Sequence, residues 1–365
     1  MSISNARMRG GGAARLTATL AAVLLVAGCA GASSQTAADP AAPPRVVIDS
    51  TGASVTVPGT VERVADAWQA HNEVVAMLGA GEKVVATVST KELVPWLYEV
   101  NPHMNDAKTV FTNTTADVEA LLAQRPDVVF MPAGSKVSDA LGDLNIPTVQ
   151  LTFTDYDGLK QVVSTTGDVL GGSAPSRAAD FNAYLDKNLA KVRGATSSIG
   201  QAERPKVLHI TSLNPLIVDG TDTIIDAWIQ AAGGRNAAVV PGNNVGVNIE
   251  QILAWNPDVI ILGSTTLTDP SDPDRAAREL TADPAWARVS AVQSARVHMN
   301  PVGAFFWDRY SAEGALQLLW AGKLLHPELF TDVDMVAETT AFYRTFLGYD
   351  LTDDQARAIL TAHRP

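Results

Sequence analysis

Cysteine is almost missing from this chain: Cys29 is the only one in 365 residues. No internal disulfide and no cysteine-rich zinc site can be built from it. Basic charge is also scarce. Lys and Arg number 27 against 39 Asp and Glu, a formal net charge of −12. A nucleic-acid binder needs a basic face, and this balance argues against such a partner. The apolar run Leu16–Ala27 falls short of the about 20 residues that span a membrane comfortably. Three catalytic signatures are missing too: there is no G-x-S-x-G elbow, no phosphate loop ending in Gly-Lys-Ser/Thr, and no HExxH. What is present is ordinary globular composition, 46% hydrophobic and 18% charged, which excludes a mostly disordered chain. The length suits two compact lobes or one large α/β domain.

The first residues set the compartment. Arg7, Arg9 and Arg15 are the only charges before residue 39, and the short apolar run follows them. That order reads as a secretory leader over residues 1–28. The lone cysteine closes the run in Leu25-Val26-Ala27-Gly28-Cys29, which resembles the bacterial lipobox. Cys29 is then expected to carry lipid and to hold the protein at the outer face of the cell membrane. Residues 29–44 are small and polar, a flexible tether.

From Arg45 onward, short β-rich runs alternate with amphipathic stretches. Expected strands include Val84–Val88, Val128–Met131, Val207–Thr211 and Val259–Leu262. This alternation predicts an α/β fold with mostly parallel sheets. Val46–Ile48 and Ser54–Val57, joined through Ser50-Thr51-Gly52, read as a hairpin outside that rhythm. An internal repeat carries more information. Residues 118–129 read VEALLAQRPDVV and residues 249–260 read IEQILAWNPDVI, so Glu119 aligns with Glu250 and the Pro-Asp pairs align without a gap. Each copy is a helix, a terminating proline and a buried strand, which predicts two similar lobes. Between the copies, Phe181, Leu185, Leu189 and Val192 recur at helical spacing. One long helix over 173–197 is expected to join an N-terminal lobe (45–172) to a C-terminal lobe (198–365), with a ligand cleft between them.

In open α/β sheets, ligands bind beyond the carboxyl ends of the strands. That rule nominates Trp68 to His71 and Lys91 in the first lobe, and Asn214, Asn243, Asn244 and the run Phe305 to Arg309 in the second. His71 either completes a metal's coordination shell or is a helix-cap residue. Arg309 either pairs with a carboxylate of the ligand or with Asp308 or Glu313. Of Phe305, Phe306 and Trp307, one or two are expected in the cleft and the rest in the core. Trp68 stands at the same choice. His209 lies inside a predicted strand and reads as structural. No His/Asp/Glu cluster in the sequence suggests a naked-ion site.

The segments RPKVLHI, VDGTDTIIDAWIQAAGG, WDRYSAEGALQLLWAGKLLHPELF and FYRTFLGYDLTDDQARAIL, with the doubled Glu–x6–Pro-Asp units, resemble the helical-hinge substrate-binding lipoproteins of ABC importers. This TroA-like, type 2 periplasmic-binding group takes iron–siderophore complexes, haem, cobalamin and related chelates. The sequence is most similar to its iron-complex and nickel-complex receptors. The resemblance implies a non-catalytic monomer without an intrinsic cofactor. It implies a metal chelate as ligand, ferric siderophore first, with a nickel or cobalt complex, haem or cobalamin as alternatives. A permease dimer with its ATPase is the implied partner, docked through Glu119 and Glu250. From the residues alone, those two are equally solvated glutamates at helix N-termini. A two-lobed metalloenzyme is the rival reading, because fold alone does not fix function.

Overall fold

The computed structural model describes residues 42–142, 144–267 and 272–365. The leader, Cys29 and the tether up to residue 41 lie outside the described residues. No described helix is long and apolar enough to cross a membrane. Among the described residues there are thirteen strands: β1 (Arg45–Ile48), β2 (Ser54–Val57), β3 (Val64–Asp66), β4 (Val84–Thr87), β5 (Lys108–Thr109), β6 (Val128–Pro132), β7 (Thr148–Leu151), β8 (Lys206–Leu213), β9 (Leu216–Val218), β10 (Arg235–Asn236), β11 (Val245–Gly246), β12 (Val259–Leu262) and β13 (Val297–Met299).

β1 and β2 form the expected hairpin, with Arg45 opposite Val57 and Ile48 opposite Ser54. Gly52 takes φ +85°, and the Asp49 carboxylate accepts from Thr51 N, Thr51 Oγ1 and Ala53 N to close the turn. The N-terminal lobe is a parallel sheet in the order β5-β4-β3-β6-β7. The C-terminal lobe is mixed, in the order β11-β9-β8-β12-β13. There β10, β12 and β13 run parallel to β8 or to each other, while β9 and β11 add an antiparallel edge.

The repeat is a fastening device used once in each lobe. Helix Val118–Gln124 ends at Arg125 and helix Ile249–Trp255 at Asn256, both left-handed at φ 47° and 44°. The αL residue therefore stops the helix one step before the proline. The aspartate that follows then grips the entry to the central strand. Asp127 Oδ2 accepts from Glu62 N and Arg63 N at 2.8 and 2.9 Å, and Asp258 Oδ2 accepts from Lys206 N at 2.8 Å. Arg63 Nε and Lys206 Nζ return to the helix ends, at Gln124 O and Trp255 O. Each carboxylate thus satisfies backbone donors that would otherwise be orphaned where β3 and β8 begin.

The linking helix is Ala174–Thr196, 23 residues and about 34 Å long. Phe181, Leu185, Leu189 and Val192 form its buried stripe. Burying each is worth roughly 1.5–3 kcal/mol. Gly167 on helix Tyr156–Leu170 lets the two helices approach closely, since a Cβ there would lie 3.1 Å from the Ala178 methyl. Arg177 donates to Met77 O and to Phe346 O, and Asn188 Nδ2 to Ala315 O, so the helix is tied to both halves of the chain. One hydrophobic cluster runs from Val64 and Phe130 through this helix to Leu316 and Ile359. The chain end also crosses over: Trp96 Nε1 donates to His363 O, and Arg364 to Glu92 O.

The tightest cross-link is a carboxylate. Glu73, on helix Gln69–Val75, is fully buried and accepts from Ser311 Oγ at 2.8 Å, Ala312 N at 3.0 Å and Glu313 N at 3.2 Å. Those donors lie in the residues that lead into helix Gly314–Leu325, up to its N-cap Glu313. Burial and the adjacent Glu313 carboxyl push Glu73 well above the usual carboxylate range. Glu313, also buried, is pushed up to about 7 and accepts from Tyr343 OH and Phe305 N. Replacing Glu73 by Ala strands two buried donors at once, Ser311 Oγ and Ala312 N, and is expected to cost about 3 kcal/mol in urea unfolding. A loss below about 0.5 kcal/mol would show that solvent satisfies those groups.

Candidate ligand cleft

The parallel strands of both lobes end at a common cleft. At the end of β3 stands Asp66, a carboxylate inside the central strand with no exposure. Its Oδ1 accepts from Trp68 N at 3.0 Å, and its Oδ2 lies 2.8 Å from His71 Nδ1. His71 Nε2 lies 2.8 Å from Thr166 Oγ1, and the ring is 1% exposed. The expected cleft role and metal role of His71 are therefore corrected. Both ring nitrogens are engaged, because the sheet needs a partner for Asp66 and the first turn of the following helix supplies one. What this pair does for the cleft is indirect. His71 stacks at 7° on Trp68 and helps to hold that half-buried indole outward.

From the C-terminal lobe, Tyr310 meets Trp68 at 5.9 Å and Phe153 edge-on at 5.0 Å. These three rings bridge the lobes. Sheet order shows what lies on each side of them. Segments after β4 and after β12 and β13 line a cavity of about 300 Å³ bounded by Glu92, Trp96, Ser264, Thr265 and Phe306. Segments after β7 and β9, with the C-terminal end of the linking helix, line a polar groove of about 600 Å³ with Asp155, Arg193, Asp222 and Asp226. Trp68 follows β3, the strand between these two flanks.

Next to Tyr310 lies an ionic cluster. His209 on β8 has Nδ1 2.8 Å from Asp219 Oδ2 and Nε2 2.9 Å from Asp308 Oδ2. The same Asp219 oxygen pairs with Arg309 Nη2 at 2.8 Å. Asn244 N donates to Asp219 Oδ1, and Asn243 Nδ2 donates to Tyr310 OH. The predicted residues Arg309, Asn243 and Asn244 are thus brought together, with Trp68 reached through Tyr310. Burial opposes ionisation of Asp219, but His209 and Arg309 outweigh it and hold Asp219 down at about 2. Burial also opposes charge on His209, and the two carboxylates outweigh it and hold the imidazole above its usual value. Arg309 keeps 11% of its side chain exposed, whereas His209 and Asp219 have none.

The remaining expected residues divide. Phe306 lines the smaller cavity and stacks on Phe305. Trp307 has no exposure and sits in the hydrophobic cluster, a correction to its expected place in the cleft. The segment alternates, sending Phe305, Trp307 and Asp308 inward while Phe306, Arg309 and Tyr310 keep partial exposure. Lys91 is exposed beside Glu92, and Asn214 is exposed at the tip of the β8–β9 hairpin. Neither joins the Arg309 cluster in any hydrogen bond among the described residues. Glu119 and Glu250 are exposed in the first turns of the repeat helices. Sequence reasoning missed Tyr310, Phe153 and Asp219. Tyr310 directly follows Arg309, Asp219 directly follows β9 and Phe153 lies two residues past β7, so their positions were the available signal. No group of three or more His, Cys, Asp or Glu side chains able to hold a metal ion occurs among the described residues.

Two α/β lobes with a shared cleft and one linking helix define an extracytoplasmic solute-binding architecture. A family model described as periplasmic binding protein matches residues 64–301, and the chain belongs to that family. The molybdate-binding protein MolA of Haemophilus influenzae is 25% identical over 340 residues, covering 86% of this chain and 93% of that protein. A periplasmic solute binding protein from Veillonella parvula matches in structure with a TM-score of 0.74 and 27% identity, over 87% of this chain and 97% of that one. A cobalamin-binding protein of Halobacterium salinarum is 29% identical over 153 residues, 40% of each chain. The protein is a substrate-binding protein of an ABC importer, not an enzyme.

Replacing His71 by Ala is expected to leave Asp66 Oδ2 buried without its hydrogen-bond partner and to lower stability by about 2 kcal/mol in denaturant titration. An unchanged midpoint would contradict the structural role given to His71.

Proposed function

We propose that this protein captures a compact, oxygen-rich anion between its lobes, with a molybdate-type oxyanion first. It then presents that anion to the permease of its importer. One observation carries the reading. Arg309, partly exposed at the cleft, stands among groups suited to oxyanion oxygens: the Tyr310 hydroxyl and the Asn243 and Asn244 amides. The molybdate-binding relative agrees with this chemistry.

A second reading is a ferric siderophore, or a nickel, cobalt, haem or cobalamin complex. The aromatic wall of Trp68, Phe153 and Tyr310 supports it, because such rings suit a planar or apolar chelate. That ligand requires the bridge to part. In either case Cys29 carries the lipid that keeps the protein outside the membrane, as its lipobox-like context supports. Glu119 and Glu250 dock a monomer onto a two-fold permease, since equivalent acids on similar lobes suit a symmetric partner.

Native mass spectrometry with metal analysis is the test. The protein is presented with molybdate, tungstate, ferric siderophores, nickel–histidine, haem and cobalamin. Molybdate is expected at 1:1, and Arg309→Ala is expected to weaken it at least tenfold, the loss of a charged hydrogen-bond partner. Retention of a ferric or cobalt complex alone would establish the second reading. The docking role has its own check: Glu119→Ala/Glu250→Ala is expected to abolish uptake while leaving solution affinity unchanged. Normal uptake would remove both residues from the permease interface.

A further inference from the structure

We infer that His209, although it touches no ligand, is a positioning residue that gives the cleft its preference for anions by competing with Arg309 for one oxygen of Asp219. The inference rests on the reading of the cleft as an anion site. Asp219 Oδ2 lies 2.8 Å from both His209 Nδ1 and Arg309 Nη2, so its charge is divided between two cations. Without the imidazole, Asp219 would turn wholly to the guanidinium. Asp308, 2.9 Å from His209 Nε2, would then be left as an uncompensated carboxylate beneath the ligand. With the imidazolium in place the cluster holds two cations and two carboxylates. With a neutral group there it holds one excess negative charge.

The surroundings are built for this arrangement. Asp219 follows β9, and Asp308 and Arg309 come from the segment after β13. Helix Ile224–Ala231 presents the Trp228 ring to His209, edge-on at 6.1 Å. The segment after β12 presents Ser264, which donates to Asp308, and Gly263. A Cβ at Gly263 would fall 2.7 Å from His209 Cε1 and 2.9 Å from Asp308 Oδ2, so no larger residue fits. His209, Asp219 and Asp308 have essentially no exposure, and the charge separation between Arg309 and the ligand is therefore weakly screened.

The test measures molybdate affinity by calorimetry for the wild type, His209→Gln, Asp308→Asn and the His209→Gln/Asp308→Asn pair. Removing the imidazolium is expected to weaken binding about tenfold, the effect of one net charge at this range. The double variant restores charge balance and is expected to recover most of that loss. A residue acting only by packing would give no such rescue. Should the variants fail to fold, NMR of the His209 ring in the wild-type protein decides. Bound molybdate must then raise the imidazole pKa, because coupling between proton and anion is reciprocal. Wild-type-like affinity in His209→Gln, no rescue in the double variant, or an unmoved His209 titration would each overturn the role of His209 while leaving the anion reading intact. A wild-type protein that binds neither molybdate, tungstate nor sulfate overturns the anion reading and this inference with it.

Discussion

The carboxylate of Glu73 leaves the N-terminal lobe and holds the lead-in to helix Gly314–Leu325 in the other, through Ser311, Ala312 and Glu313. The residues it holds directly follow Arg309 and Tyr310. The register between those two and Trp68 therefore depends on this one acceptor. Its environment is dry, and three donors converge on it, so displacing it is costly. The lobes also share a hydrophobic cluster, a linking helix fastened to both, and a chain end that returns to Glu92 and Trp96. Large opening would break all of these at once.

The chain is acidic overall, at −12, whereas the ligand proposed for its cleft is an anion. Net charge governs long-range steering, which here disfavours a negative solute. Capture must then come from short-range contacts in a partly dehydrated site. Arg309 meets that requirement because Asp219, which anchors it, is itself shared with His209. The arrangement keeps a guanidinium rigid without neutralising it.

Much of the architecture was legible in the sequence. The doubled helix–Pro-Asp–strand unit announced two lobes because each aspartate has the same task at a strand entry. Strands such as β6 and β12 were readable as buried apolar runs. The central strand β3 was not, since Val64-Ala65-Asp66 is three residues long and ends in a carboxylate. That omission explains the error at His71: without a strand carrying Asp66, its histidine partner looked unclaimed. Trp307 was misplaced because an aromatic run does not reveal which rings alternate inward. His209 was rightly read as structural, but its link to Arg309 passes through Asp219, and that pairing is set by β8–β9 geometry and a distant loop. Contacts between lobes, such as Glu73 with Ser311 or Trp68 with Tyr310, have no local signature at all.

The central claim is that the ligand is an anion held beside Arg309, between the lobes and against the aromatic bridge. The most direct measurement is a crystal structure with bound molybdate or tungstate, located by anomalous scattering from the heavy atom. The account predicts one peak within contact of the Arg309 guanidinium, with Tyr310 and the Asn243–Asn244 segment around it. A peak in the groove of Arg193 and Asp226, or density for a chelate with Arg309 untouched, would contradict it.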